Sequence, residues 1–169
     1  TYLCNYSKKI ERYSIDECFI DFSDNLEIKK DPVRWAYKIK NEIYANFGFT
    51  VNVGVGNNKL LAKMASDFSK PDKVHTLFSN EIKDKMWGLP IEDLFMIGRA
   101  SSKKLRELGI NTINDLAHTD REYLARYFKS MSKMMWEYAN GIDESLVESD
   151  YGNPKSISNS CVLPYNYSN

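Results

Sequence analysis

The stretch YSIDECFIDF, residues 13–22, places two adjacent carboxylates inside a run of strand-forming residues. Tyr, Ile, Phe and Cys alternate with polar residues over 10–22, which predicts a β-strand with a bend near residues 14–15. Asp16 and Glu17 fall in this run, where burial of an unpaired ionised carboxylate would be unfavourable. Two interpretations follow: the acids lie at a sheet edge in water, or they bind a metal ion.

The residues after this stretch predict an α/β layer. The Asp-Pro dipeptide at 31–32 is typical of a helix N-terminus, and the apolar spacing that follows predicts a helix ending near Gly48. TVNVGV at 50–55 predicts a buried strand, and residues 58–69 predict a second helix. A strand–helix–strand–helix order over residues 1–78 indicates helices packed on a sheet.

The second half of the chain has a different composition. Residues 80–148 show little β-strand pattern, and glycines separate the predicted helices: Gly98, Gly109 and Gly141. This half is predicted to be a smaller, all-helical unit, so the fold class of the whole chain is α+β. Residues 149–169 are rich in Ser, Asn, Tyr and Pro and are predicted to be a linker.

Composition restricts the class of protein. The chain has 169 residues, of which 43% are hydrophobic, so it is long enough to bury a globular core. It contains neither an apolar run of about 18 residues nor a signal-like N-terminus, which predicts a cytoplasmic protein with no membrane partner. Its three unclustered cysteines favour reduced thiols over a zinc site.

The predicted second helix carries lysines on one face. In NKLLAKMASDFSK, residues 58–70, a helical repeat places Lys59, Lys63 and Lys70 opposite the apolar side chains. A solvated lysine face is one interpretation. A phosphate site is the other, because the preceding GVGNNK would bring a helix N-terminus and lysines together.

A basic segment in the helical half predicts a helix–hairpin–helix. LFMIGRASSKKLRELGI, residues 94–110, would direct backbone N–H groups at a DNA phosphate, with Arg99, Lys103 and Lys104 adding positive charge. Such contacts position a protein on DNA without reading its sequence. A plain helical hairpin is an equal alternative, because Met96 stands where such hairpins usually have their first glycine.

Three segments in this order resemble the Y-family (UmuC/DinB type) translesion DNA polymerases over nearly the whole chain. They are residues 13–24 (YSIDECFIDFSD), 52–72 (NVGVGNNKLLAKMASDFSKPD) and 88–117 (GLPIEDLFMIGRASSKKLRELGINTINDLA). GID at 141–143 and KSISNSCVLPYNY at 155–167 most resemble the Gram-positive UV-damage-repair branch.

The resemblance implies a two-metal active site. Asp16 and Glu17 would be catalytic carboxylates that bind two Mg²⁺ ions on the polymerase palm. The metals would activate the primer 3′-hydroxyl and neutralise charge on the incoming triphosphate. Lys70 would contact the triphosphate, and Lys63 would lie near the same site. The partners implied are primer–template DNA and deoxynucleoside triphosphates.

The resemblance also implies a DNA-gripping thumb. Ile97, Gly98 and Arg99 would form a hairpin on the DNA backbone, with Lys103 and Lys104 nearby. Four positions depart from glycines that are frequent in the family, and loss of a glycine with positive φ would strain the backbone. They are Met96, Lys129, Ser132 and Ser158.

By the same resemblance the chain is an internal fragment. Residues 1–78 would be the C-terminal part of the palm, 79–150 the thumb, and 151–169 a linker to a little-finger domain. The family's first metal-binding aspartate lies upstream of the match, so we expect the fragment alone to be inactive. The longer protein would act in DNA repair and SOS-type damage tolerance, and a sliding clamp would be reached only through regions outside this chain.

A second hypothesis is a non-catalytic DNA-binding module. In it the helix–hairpin–helix engages DNA and the palm remnant serves as a scaffold. An acid missing from the catalytic set would favour this hypothesis over the enzyme.

Overall fold

In a computed structural model that describes residues 2–149 and 158–161, the stretch around the two acids forms a β-hairpin. Strand β1 (Ile10–Arg12) pairs antiparallel with β2 (Cys18–Ile20). The turn closes where the backbone N–H groups of Tyr13 and Ser14 donate to the Glu17 carbonyl oxygen at 2.9 and 3.1 Å. The predicted bend is therefore a full reversal that divides the predicted strand in two.

Two helices follow the hairpin. Helix α1 (Leu26–Lys30) is one short turn, and α2 (Pro32–Phe47) is the long helix that the sequence predicts. The Asp31 carboxylate caps α2 by accepting the N–H of Arg34 at 3.1 Å. Gly48, with φ 75°, ends it in the left-handed conformation that glycine adopts without strain.

A β–α–β unit comes next. Strand β3 (Val53–Gly56) and strand β4 (Val74–Leu77) pair in parallel, and α3 (Lys59–Asp67) crosses between them. The predicted strand at 50–55 begins three residues too early. Strand β4 was not predicted, because a four-residue run without a repeated alternation carries little periodic signal.

Glycine allows α3 to lie directly on β3. A Cβ at Gly54 would overlap the carbonyl oxygen of Ala62, and one at Gly56 would lie 2.6 Å from the Ala62 nitrogen. Leu61 and Ala65 on the same side of α3 are fully buried. The VGVG sequence therefore fixes how closely the helix approaches the sheet.

The second half is helical, as predicted. Gly98 is the N-cap of the second helix in this half, whereas Gly109 (φ 80°) and Gly141 (φ 71°) follow helix ends. Residues 94–97, the part of the predicted helix–hairpin–helix before Gly98, form no helix, and the 3₁₀ turn Ile91–Asp93 lies just before them. The α-helices are α4 (Ile82–Lys85), α5 (Arg99–Glu107), α6 (Ile113–His118), α7 (Arg121–Phe128) and α8 (Met131–Ala139).

One hydrophobic core joins the two halves. Leu61 and Met64 of α3 belong to the same buried cluster as Leu105 of α5 and Met135 of α8. Next to this core, the Asn58 side chain donates to the Gly141 carbonyl oxygen at 2.9 Å. The position of α3 is therefore tied both to the sheet and to the helical half.

No helix in the described part of the chain is long and apolar enough to span a bilayer. The predicted linker at 151–169 lies outside the described residues, apart from residues 158–161.

Candidate active site and DNA-contacting surface

The two adjacent acids lie at the water-facing tip of the β1–β2 hairpin. Asp16 is exposed, and its carboxylate accepts the Ser14 hydroxyl at 2.8 Å. Glu17 is half-buried. The acids therefore lie in a water-facing turn rather than within a strand, which avoids the cost of burying an unpaired charge. This position also leaves their oxygens accessible to a cation.

Glu17 is paired with a lysine of α3. The Lys63 Nζ lies 2.6 Å from Glu17 Oε1 and 3.2 Å from Asp67 Oδ2, and the Lys63 side chain is 14% exposed. Asp67 Oδ1 in turn lies 2.7 Å from the Nζ of Lys70, whose side chain is mostly exposed. We call Glu17, Lys63, Asp67 and Lys70 the acid–lysine network. It brings three of the predicted site residues together.

Asp67 is the member that the sequence analysis missed. It follows Lys63 by four residues and precedes Lys70 by three, a spacing that places opposite charges side by side on a helix. The role of Asp67 between the two lysines could have been inferred from this spacing.

Contacts within the acid–lysine network stabilise the charged forms of Lys63 and Asp67. Burial opposes the charge of Lys63, but the hydrogen bonds that its ammonium donates to Glu17 and Asp67 outweigh burial and raise the pKa of Lys63. Burial likewise opposes the charge of Asp67, and its contacts with Lys70 and Lys63 outweigh that effect and lower the pKa of Asp67. Both groups are therefore charged at neutral pH.

The two acids fit part of a Mg²⁺ site. Carboxylate oxygens are the hard ligands that this ion prefers. Within residues 2–149 and 158–161, no cluster of three or more Asp, Glu, His or Cys side chains is placed to hold a metal ion. Asp16 and Glu17 are therefore an incomplete donor set, and further oxygen ligands would have to come from elsewhere.

The N-terminus of α3 is satisfied by the protein itself. The Asn58 side-chain oxygen Oδ1 accepts the N–H of Leu61 at 2.9 Å, and the Asp143 carboxylate accepts the N–H of Leu60 at 3.1 Å. These acceptors occupy the amides that a phosphate would use, so the geometry favours capping over the phosphate interpretation of the GVGNNK junction.

Lys59 does not join the acid–lysine network. Its Nζ lies 2.7 Å from Glu11 Oε2 and 5.2 Å from the centre of the Phe19 ring. The predicted lysine face is thus divided: Lys59 joins α3 to strand β1, Lys63 pairs with Glu17 at the hairpin tip, and Lys70 pairs with Asp67.

A second charged surface surrounds the start of α5. Ile97 is buried, whereas Gly98 is exposed and caps the helix without a side-chain acceptor for its first amides. Arg99 and Lys103 are exposed, and neither forms an ion pair with a described residue. Open amides beside unpaired cations are the features that a phosphate group recognises.

Lys104 differs from its two predicted companions. Its Nζ donates to the Tyr127 carbonyl oxygen at 2.6 Å and lies 5.1 Å from the centre of the Phe128 ring. It therefore binds the C-terminal end of α7, where a cation stabilises unpaired carbonyl groups. This contact distinguishes Lys104 from Arg99 and Lys103, which form no ion pair with a described residue.

Two of the four departures from family glycines have positive φ. Met96 has φ 70° and Lys129 has φ 48°. Ser132, by contrast, lies within α8, and its hydroxyl donates to the Lys129 carbonyl oxygen at 2.6 Å. The strain expected from the sequence therefore applies to Met96 and Lys129.

Comparison with known sequences identifies relatives. Residues 1–67 match the impB/mucB/samB family. The chain is 50% identical over 161 residues to DNA polymerase IV of Clostridium acetobutylicum, covering 95% of this chain and 40% of that protein. It is 39% identical over 166 residues to DNA polymerase IV of Acetivibrio thermocellus, covering 97% and 42%. The chain thus spans about two-fifths of the length of these curated relatives.

Comparison with solved structures agrees. The crystal structure of DinB from Sulfolobus solfataricus superposes with a TM-score of 0.77 at 31% identity, covering 87% of this chain and 44% of that one. The insertion ternary complex of Dbh DNA polymerase gives a TM-score of 0.78 at 32% identity, covering 87% and 43%.

These structural matches are to parts of DNA polymerases, and they confirm the predicted fold class, a mixture of helix and sheet. The similarity to the Y-family (UmuC/DinB type) of DNA polymerases that the three sequence segments predicted is confirmed by the family match over residues 1–67 and by these relatives. The relatives in Clostridium and Acetivibrio agree with the expected Gram-positive relationship. They carry the name DNA polymerase IV, so assignment to the UV-damage-repair branch stays a prediction.

Proposed function

We propose that this chain is part of a translesion DNA polymerase, which adds deoxynucleotides to a primer opposite damaged template DNA. The observation that carries the proposal is the acid–lysine network beside the exposed Asp16 carboxylate. It combines oxygen ligands for a divalent cation with ammonium groups for a triphosphate. The names of the relatives support the same activity for the longer protein.

In this proposal Asp16 and Glu17 are the catalytic metal ligands. When bound, Mg²⁺ would activate the primer 3′-hydroxyl and offset charge on the triphosphate. The exposed ammonium of Lys70 and the ammonium of Lys63 would face that triphosphate. Because the described carboxylates are an incomplete donor set, we expect no extension by residues 1–169 alone.

The division into domains is part of the proposal. Residues 1–78 would be the C-terminal part of the palm, 79–150 a thumb with a helix–hairpin–helix, and 151–169 a linker. Ile97, Gly98, Arg99 and Lys103 would contact the DNA backbone. A cytoplasmic location, SOS-type damage tolerance and a sliding-clamp contact through other regions are further expectations that rest on the family relationship.

Primer extension tests the proposal. The complete gene product that carries this segment would be assayed with Mg²⁺ on an abasic-site template, beside Asp16→Asn and Glu17→Gln variants. We expect each variant to lose extension by about a hundredfold or more while still binding primer–template. Asp24→Asn is the matched control, since Asp24 is an exposed acid near β2 that pairs with Lys9 and should extend normally.

A non-catalytic DNA-binding module is the second candidate. The open N-terminus of α5 with exposed Arg99 and Lys103 favours it, because these groups can bind DNA without any metal. DNA binding without extension, or extension that survives both acid substitutions, would make this candidate the better account.

A further inference from the structure

The loop at residues 68–73, between α3 and β4, is held by Asn52, the residue directly before β3. The Asn52 Nδ2 donates to the carbonyl oxygens of Ser66 at 3.1 Å and Ser69 at 2.9 Å. The Asn52 Oδ1 accepts the N–H of Lys73 at 3.0 Å. One side chain therefore connects the end of α3 to the end of the loop.

A lysine from α2 holds the same loop on another side. The Nζ of Lys40 lies 2.6 Å from Asp72 Oδ1, and Lys40 is only 9% exposed. A lysine this buried is rare unless its charge is compensated. Asp72 has φ 58°, a conformation that aspartate adopts more readily than most residues. The ion pair thus fixes both the loop backbone and the lysine.

Apart from Phe68, which packs against the core, apolar burial contributes little to this loop. Residues 69–73 are all exposed, and Lys70 is among them. Without Asn52 and Lys40 the loop would sample many conformations, and a ligand that binds Lys70 would have to order it. Ordering a flexible segment weakens binding, whereas a segment already held in place avoids that cost.

We propose that Lys40 and Asn52 are positioning residues that fix the 68–73 loop, so that the Lys70 ammonium is preorganised for the triphosphate of the incoming nucleotide. The proposal rests on the proposed polymerase function. Neither residue contacts the nucleotide. Both act through the backbone that carries Lys70.

Steady-state kinetics of the complete gene product test this role. Lys40→Met and Asp72→Asn should each raise the KM for the deoxynucleotide about fivefold to tenfold and leave kcat within about twofold, because they weaken nucleotide binding rather than the chemical step. Lys40→Arg, which keeps the charge, should restore most of the affinity. Lys38→Met is the matched control on the same helix, since Lys38 is half-exposed, and its ammonium lies near Glu42 and the Trp35 ring rather than near the loop.

A double-mutant cycle with Lys70→Ala shows whether the effect passes through Lys70. If it does, Lys40→Met should raise the KM much less in the Lys70→Ala background than in the parent. An equal increase in both backgrounds would overturn the proposal, as would an unchanged KM in Lys40→Met and Asp72→Asn.

Hydrogen exchange supplies a readout independent of catalysis. The Lys73 amide should exchange faster in Asn52→Leu and Lys40→Met while the amides of α3 keep their protection. Unchanged exchange at Lys73 would contradict the restraint itself. Loss of extension in Asp16→Asn tests the polymerase function separately. If that function holds but the KM is unchanged in Lys40→Met and Asp72→Asn, only the positioning role is refuted.

Discussion

The Lys63 ammonium lies 2.6 Å from a carboxylate oxygen of Glu17 and joins helix α3 to the tip of the β1–β2 hairpin. The two residues are far apart in sequence, and the shared core holds α3 in the place where they meet. Asp67 extends this contact to Lys70. A change in the position of α3 would therefore alter the charge balance around the two acids.

Asp67→Asn should destabilise the protein in a pH-dependent way. The folded state lowers the pKa of Asp67, so its stabilisation is present above the unfolded carboxyl pKa of about 3.9 and is lost as the pH falls through the folded value. Asp67 is nearly half-exposed and water screens its ion pairs, so we expect a loss of about 0.5 kcal/mol at pH 7. Denaturant unfolding at pH 7 and pH 3 measures the difference.

An equal loss at both pH values would mean that Asp67 acts through neutral hydrogen bonding rather than charge. Asp24→Asn provides the comparison, because Asp24 is a more exposed carboxylate paired with a single lysine. It should change the free energy of unfolding less than Asp67→Asn at pH 7.

Gly54→Ala should be strongly destabilising. The added methyl group would overlap the backbone of α3 at Ala62, and neither the strand nor the helix can move without disturbing the core. We expect a loss of about 3 kcal/mol in the free energy of unfolding. Gly88→Ala is the matched control, since its methyl group would meet no atom within 4 Å. Similar thermal unfolding of the two variants would contradict close packing of α3 on β3.

Glycine at two strained positions should stabilise the protein. Met96 and Lys129 have positive φ, which costs a side-chain-bearing residue roughly 1–2 kcal/mol. After the greater chain entropy of glycine is subtracted, Met96→Gly and Lys129→Gly should each add about 0.5–1 kcal/mol to the free energy of unfolding. Thermal unfolding measures this gain.

The control for these two variants is Lys103→Gly. Lys103 lies inside α5, where glycine should instead remove about 1 kcal/mol. If all three glycine substitutions destabilised the protein, strain at Met96 and Lys129 would not be the dominant effect.

Local patterns predicted helices α2 and α3 and the helical character of the second half. Asp31 and Gly48 marked the ends of α2 correctly, because capping depends on residues adjacent in sequence. The glycines of the second half likewise marked helix boundaries. Strand β4 was missed since its four residues gain their structure from pairing with β3, a contact that local sequence does not record.

The sequence supplied four residues of the candidate site, but neither Asp67 nor the pairings. Family resemblance supplied Asp16, Glu17, Lys63 and Lys70, yet the roles of Lys59 and Lys104 depended on distant partners. Lys59 pairs with Glu11, and Lys104 binds the Tyr127 carbonyl oxygen, each across a long stretch of chain. Such contacts follow from tertiary packing rather than from spacing.

The basic residues of α5 should differ in their effect on DNA binding. Arg99 and Lys103 are exposed and lack ion-pair partners among the described residues, so each is free to release counterions from a phosphate. In the complete gene product, Arg99→Ala and Lys103→Ala should each lower the magnitude of the salt slope, d log K/d log[salt], by about 0.9.

Lys104→Ala should leave that salt slope nearly unchanged, because the Lys104 ammonium already binds the C-terminal end of α7. It should instead lower the melting temperature, since the Tyr127 carbonyl loses its donor and the Phe128 ring loses a cation. Fluorescence anisotropy with a primer–template over a range of salt concentrations, together with thermal unfolding, separates the two behaviours. A full reduction of the slope by Lys104→Ala, with an unchanged melting temperature, would place Lys104 on the DNA and show that it leaves Tyr127 when DNA binds.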